Sequence, residues 1–282
     1  MAAWSNLTFD ALEHITSFLS FSDHYRFGAV CKNWKSVSKR RRHPPAPQLP
    51  WLVLEEESEI RKRKFYSLSE GKHYSIKIPE LYGHYICGSS HGWFFAVDIK
   101  ISGIIINPFT RKYYELPAFP AYHENVDVTT LIEKVPSDCM EGPRDFTFEE
   151  MQTAIVFNAI FSHDPNERSD FTTMILFGQK HSPAFWKPDN SSWIVVDSPK
   201  CAMEDVLYFQ GNFYIISAMN VLYVVDFELE PKLIEVRPQI CPQIGVEGCA
   251  LQRYLIDFDG NMLLIERFRR SVEYDLVITH GF

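Results

Sequence analysis

No stretch of the 282 residues approaches the ~18 consecutive apolar residues that cross a bilayer, and Asp10 and Glu13 arrive too early for a signal peptide. A cytoplasmic and/or nuclear protein without membrane partners is expected. The six cysteines, at 31, 87, 139, 201, 241 and 249, include no Cys-x-x-Cys pair, and the ten histidines form no His-Glu-x-x-His. In a reducing compartment such cysteines are small buried hydrophobes, so neither disulfide, metal nor cofactor is expected. Basic charge is also short: beyond residue 50 the chain carries 21 Lys/Arg against 33 Asp/Glu, which disfavours nucleic acid as a partner, because phosphate neutralisation needs a basic surface.

What is present is an ordinary globular composition, 46% hydrophobic and 15% aromatic, enough for one large domain or two unequal ones. Residues 1–50 differ from the rest in carrying a net charge of +4. From Leu7 the apolar residues fall at 12, 15, 18 and 19, then at 27, 30, 31, 34 and 37, a spacing that predicts two successive helical segments. Thr8 and Ser22 are placed as N-caps, each followed by an acid that suits the positive helix end. Lys39–Arg42 suits a helix C-terminus, and Pro44-Pro45-Ala46-Pro47 stops the helix and stiffens a linker. Domains are therefore expected at 1–42 and 51–282, with a proline-rich linker at 43–50.

Beyond Pro50, short alternating apolar runs are separated by Gly, Pro, Asn and Asp, the signature of an all-β domain. Fourteen strands are predicted, at 51–54, 74–78, 93–97, 104–106, 113–115, 155–161, 173–177, 193–197, 206–209, 213–216, 222–227, 254–258, 262–267 and 272–278; one open sheet rarely holds so many. "VLYFQGNFYII" and "YLIDFDGNMLLI" both read apolar run, Gly-Asn turn, apolar run, with Gly211 and Gly260 separated by 49 residues, a propeller-blade period. The Trp-Asp and Gly-Gly signatures of the two commonest propeller repeats are missing. Residues 120–152 are acidic and poorly periodic, and predict a long surface loop.

Gly88-Ser89-Ser90-His91-Gly92 spells Gly-x-Ser-x-Gly, the nucleophile-elbow pattern of serine hydrolases. An elbow needs a helix after the serine. Here Trp93-Phe94-Phe95-Ala96-Val97 follows, which is strand chemistry, so the motif predicts a hairpin of an earlier blade and Ser90 is not expected to be catalytic. The basic runs Lys39–Arg42 and Arg61–Lys64 suit a helix end and an exposed hairpin, with nuclear import as the functional alternative.

The segment "NLTFDALEHITSFLSFSDHYRFGAVCKNWKSV" resembles an F-box, the helical module that docks onto the Skp-type adaptor of cullin-based SCF ubiquitin ligases. The pattern of an opening Leu, Leu and Ile on the first helix, Asp before the second and Val-Cys-Lys-x-Trp stands here as Leu7, Leu12, Ile15, Asp23 and Val30-Cys31-Lys32-Asn33-Trp34. Only the second position departs, Thr8 standing where the family has proline. The segments "GSSHGWFFAVD", "IIINPFTRKYYELP" and "YLIDFDGNMLLIERF" resemble the C-terminal domain of plant F-box proteins of the KIB type, a propeller-like domain whose members run on past "VEYDLVITHGF" with further strands.

The resemblance implies a small all-α F-box module followed by an all-β domain, a β-propeller of about five to six blades, incomplete at the C-terminus. It implies a non-catalytic subunit that binds the adaptor, and through it a cullin, and holds a target protein on the β domain. Leu7, Leu12, Ile15, Leu19, Val30, Cys31 and Trp34 are the candidate adaptor-binding residues, with Trp34 packing internally beneath the surface. The alternatives are an adaptor-binding scaffold outside ubiquitination and a serine hydrolase using Ser90. Because propellers usually close by pairing an N-terminal strand with the C-terminal blade, residues 51–55 and 271–278 are expected in one sheet if the chain is complete, and 272–278 as an exposed edge prone to self-association if it is truncated.

Overall fold

The computed structural model describes residues 4–39, 50–54, 62–98, 102–119, 156–178, 181–228, 230–236, 250–269 and 275–281. The expected loop at 120–152 and Cys139, Cys241 and Cys249 lie outside the described residues. The chain divides into two compact units, Met1–Glu80 and Leu81–Phe282.

The first unit opens with helices α1 (Phe9–Thr16), α2 (Phe21–Val30) and α3 (Lys32–Lys39). The expected second helical segment is thus two helices, because Cys31 takes an extended conformation (φ −162°, ψ 172°) between them. Periodicity does not reveal the break, since Phe27 before it and Val37 after it enter the same core around Leu12. The cap of α2 is Ser20, not Ser22, which lies inside the first turn: Ser20 Oγ accepts from the Asp23 amide at 3.2 Å, the reach of an N-cap to N3. A three-stranded antiparallel sheet completes this unit, in the order β1 (Trp51–Val53), β2 (Arg63–Ser67) and β3 (Lys72–Ile76). Arg63 and Lys64 of the second basic run are strand residues of β2.

The second unit holds four antiparallel sheets, each built in chain order. The first is β4 (His84–Ser90), β5 (Trp93–Asp98), β6 (Gly103–Ile106) and β7 (Tyr113–Glu115). The second is β8 (Val156–Phe161), β9 (Thr173–Phe177), β10 (Ser182–Trp186) and β11 (Ile194–Val195). The third is β12 (Met203–Phe209), β13 (Asn212–Ser217), β14 (Leu222–Asp226) and β15 (Lys232–Val236); the fourth is β16 (Ala250–Phe258), β17 (Asn261–Arg269) and β18 (Asp275–Gly281). Serial four-strand meanders are blades, and the arrangement is consistent with a propeller. All fourteen predicted strands are present, and β2, β4, β10 and β15 are added to them.

Alternation feeds the cores between these sheets. In β9, Ile175 enters a cluster with Trp93, Phe95, Phe161 and Phe171, while its neighbours Met174 and Leu176 point the other way to meet Met203, Val206, Phe213 and Ile215. In β13, Ile215 joins that second cluster and Ile216 a third, with Leu222, Leu255, Met262 and Leu264. Middle strands buried on both faces explain why "WFFAV" is apolar throughout.

Three hairpins share one turn. His91-Gly92, Gln210-Gly211 and Asp259-Gly260 each pair a residue at φ 46–53° with a glycine at φ 73–89°, the two positive φ values of a type I′ turn. Gly-x-Ser-x-Gly is therefore hairpin β4–β5, as its context predicts, with Ser90 opposite Trp93.

The first strand of each sheet is the inner one, and successive inner strands lie side by side, β4 by β8, β8 by β12 and β12 by β16. Each also carries a β-bulge, at residues 87, 157, 204 and 251, followed by Gly88, Asn158, Asp205 and Gln252. A Cβ on Gly88 would collide with the carbonyl oxygen of Ala159 in β8 and crowd its amide nitrogen at 2.9 Å. Asn158 Nδ2 donates to Asp205 Oδ1 at 2.5 Å and the Leu255 amide donates to Asp205 Oδ2 at 2.7 Å, so one carboxylate of β12 holds both neighbouring inner strands. Arg253 of β16 adds a second tie, donating to Glu266 Oε1 (2.9 Å), Glu204 Oε2 (3.2 Å) and the Ala218 carbonyl (3.1 Å).

The expected pairing of 51–55 with 271–278 is corrected: β1 pairs with β2 (Trp51 opposite Ser67) and β18 with β17, in separate sheets. The strand predicted at 272–278 runs from Asp275 to Gly281, and among the described residues β18 is the edge of its sheet.

Gly88→Ala is expected to lower unfolding free energy by about 1–3 kcal/mol or more through overpacking against Ala159. Ser90→Ala, which removes one exposed hydrogen bond, costs at most about 1 kcal/mol. Urea midpoints measure both; equal midpoints for the two variants would contradict the close approach of β4 and β8. A second expectation concerns Asp205, whose carboxyl burial pushes from 3.8 up to about 6, against hydrogen bonds from Leu255, Val206 and Asn158 that pull it down. Between those pH values the folded chain keeps a proton that the unfolded chain has released. Stability therefore falls as pH rises through this window, by up to about 3 kcal/mol from this group. The stability of the wild type minus that of Asp205→Asn should decline by that amount between pH 4 and 7, and a pH-independent difference would refute it.

Candidate functional site

Two surfaces can carry function, one in each unit. In the helical module Leu12 is fully enclosed with Phe27 and Val37, and Leu7, Ile15, Leu19 and Trp34 pack half-buried around them. Leu12, expected to be shared between core and adaptor face, lies in the module's own core. Trp34 stacks on Phe27 (centroids 4.4 Å apart) and donates its indole N–H to the Trp4 carbonyl at 3.1 Å, a supporting role consistent with the expectation. Cys31 is half-buried between α2 and α3. The solvent-facing apolar side chains are Val30 (58% exposed), Phe18 (76%) and Trp4 (65%). Phe18 was legible as part of the helical spacing; Trp4 precedes the periodic residues and carries no such signal.

In the second unit the inner strands β4, β8, β12 and β16 line one cavity of about 450 Å³. Ser89, Ser90, His91, Asn158, Asp205 and Tyr208 give it polar groups, and Ile160, Phe161, Leu207 and Leu255 apolar walls. Among the described residues, none that line it is Lys or Arg. Asn158 and Asp205 sit in "FNAIF" and "MEDVLYF", where a polar residue inside an apolar strand was the available signal, but periodicity cannot say which polar residues face a shared axis.

Ser90 Oγ lies 2.7 Å from His91 Nδ1, which revives the question of a nucleophile. Burial lowers the pKa of His91 against the opposing pull of Asp164, which favours the neutral imidazole. A triad would need a carboxylate orienting that ring. Asp164 instead accepts at Oδ1 from the Trp93 indole (2.9 Å) and the Asn166 amide (2.8 Å), and the backbone after Gly92 is strand, not helix. The pair is the end of a hairpin.

Comparison with known proteins finds a family model for each of two parts of the chain. An F-box domain model matches residues 4–44, and a KIB1-4 beta-propeller model matches residues 65–280. The chain is 24% identical over 291 residues to the F-box/kelch-repeat protein At1g57790 of Arabidopsis thaliana, covering 99% of this chain and 72% of that one. It is 30% identical over 288 residues to the putative F-box protein At2g33190 of the same plant, covering 93% and 69%. It is 23% identical over 261 residues to the Arabidopsis F-box protein KIB3, covering 90% of this chain and 53% of KIB3. With an F-box match over its helices and a propeller match spanning β2 to β18, the chain belongs to the F-box proteins of the KIB1-4 beta-propeller family.

Proposed function

We propose that this protein is the substrate-recognition subunit of an SCF-type ubiquitin ligase, docking a Skp-type adaptor, and through it a cullin, by its F-box and holding a target protein on its β domain. The observation that carries the reading is an F-box whose apolar side chains Phe18 and Val30 stand in solvent, joined to a propeller-family domain with a cavity among its inner strands. A module of ~40 residues that buries Leu12, Phe27 and Val37 still leaves apolar surface for a partner to cover. The subunit's contribution is positional: it raises the effective concentration of a target lysine near a charged conjugating enzyme. The cytosol or nucleus is the proposed site of action.

Phe18→Ala with Val30→Ala should weaken adaptor binding at least thirtyfold, since central apolar anchors contribute about 2 kcal/mol or more, while helix content is retained. Leu12→Ala should instead unfold the module, because it hollows the core. Calorimetry against purified adaptor, with circular dichroism on the same samples, separates the two. Unchanged adaptor affinity in the folded double variant would place docking elsewhere. Adaptor binding without ubiquitination of any co-purified protein in a reconstituted ligase would favour a scaffold.

A further inference from the structure

The cavity among β4, β8, β12 and β16 has a chemistry of its own. Its polar groups are acceptors or amphoteric: the Asp205 carboxylate, the hydroxyls of Ser89, Ser90 and Tyr208, the Asn158 amide and the His91 ring. Asp205 accepts from Asn158 on Oδ1, from the Leu255 amide on Oδ2 and from the Val206 amide, three bonds on a carboxylate with about four acceptor sites, which leaves room for one more donor. Among the described residues no Lys or Arg of the cavity wall answers this carboxylate. On the same strand Glu204 adds like charge, and Arg253 of neighbouring β16 is committed to Glu204 and Glu266. Near His91, Asp164 and Glu167 contribute further negative charge, and Arg168 is held by both oxygens of Asp170 (2.9 and 2.7 Å) and by His163 Nε2 (3.0 Å).

We propose that this cavity binds a lysine or arginine side chain presented by an extended segment of the target protein. The inference rests on the receptor reading above. An anionic ligand would meet Asp205 with no counter-charge in the wall, and a wholly apolar ligand would strip water from the carboxylate without replacing it. A cation on an alkyl stem satisfies both halves of the cavity, with the methylenes along Ile160, Leu207 and Leu255 and the head against Asp205, Ser90 and Tyr208. The volume, about 450 Å³, exceeds one such side chain and leaves room for the flanking backbone.

The test uses the full chain and a labelled pentapeptide, acetyl-Gly-Ser-Lys-Ser-Gly-amide, followed by fluorescence anisotropy, beside the same peptide with norleucine or glutamate for lysine. The lysine peptide should bind saturably, norleucine at least tenfold more weakly and glutamate not at all. Asp205→Asn should lose at least tenfold of the affinity. Since that substitution also touches the ties between strands, Ser89→Arg, at an exposed position of the cavity wall, is the second variant: its tethered guanidinium should displace the peptide from a protein of unchanged fold. Equal binding of lysine and norleucine peptides, or undiminished binding to Ser89→Arg, overturns the proposal. So does n-butylammonium binding as tightly as the peptide, which would make this a site for a diffusible amine. Adaptor binding by the same samples is the separate readout: its loss in the wild type defeats the receptor reading, whereas peptide failure with adaptor bound defeats only this proposal.

Discussion

Asp205 is the group on which the second unit turns. Four inner strands lie side by side, and strands from different sheets have no ladder of their own to hold them together. The Asp205 carboxylate supplies what the ladder cannot, accepting from Asn158 on one side and from the Leu255 amide on the other. Burial makes the ionised form costly, and the hydrogen bonds donated by Leu255, Val206 and Asn158 offset only part of that cost, so the pKa stays high at about 6. A chain selected for stability alone has cheaper ways to join two strands, such as the packing of Ile216 on Leu264 one layer out. A buried carboxylate with a raised pKa at the wall of a cavity is a common mark of a binding site.

Around this centre the sheets are joined by apolar surface. In β9 and β13 alternate residues enter two different cores, so the removal of one side chain from either loosens one joint and spares the other. The bulges make the geometry possible. An extra residue at 87, 157, 204 and 251 twists each inner strand at the same place and turns the next residue toward its neighbours. Where the turned residue is Gly88, backbone meets backbone; where it is Asn158 or Asp205, a hydrogen bond forms instead.

Much of this was legible in the sequence. Alternation and turn glycines located fourteen strands, and the Gly211–Gly260 period marked the shared hairpin, because those signals are local. The missed strands fail locally: β10 contains Pro183, β4 is rich in Gly and Ser, and β2 is half basic. The helical module was read in outline, but not that Leu12 is enclosed and Phe18 exposed, since spacing marks a face without saying which of its residues the neighbouring helices enclose. The cavity was not legible, because it is made by residues up to 166 positions apart, from Ser89 to Leu255, whose only link is the stacking of sheets.

The Gly-x-Ser-x-Gly of residues 88–92 shows how a catalytic spelling arises without catalysis. Gly92 is required by a turn that takes positive φ at two positions, and Gly88 by the passage of Ala159 behind it. These two demands have different origins, one in a hairpin and one in the contact of two sheets, and they fall four residues apart because the bulge lies close to the strand's end. Ser90, between them, faces a cavity where a small hydroxyl fits. In a hydrolase the same glycines would serve a strand-to-helix corner that lifts the serine clear of the sheet. Here the corner is a hairpin, the histidine beside the serine is the first residue of its turn, and the carboxylate nearest in charge is given to Trp93 and Asn166. Three positions with three separate structural causes reproduce the motif, and each cause is of a kind that a blade supplies.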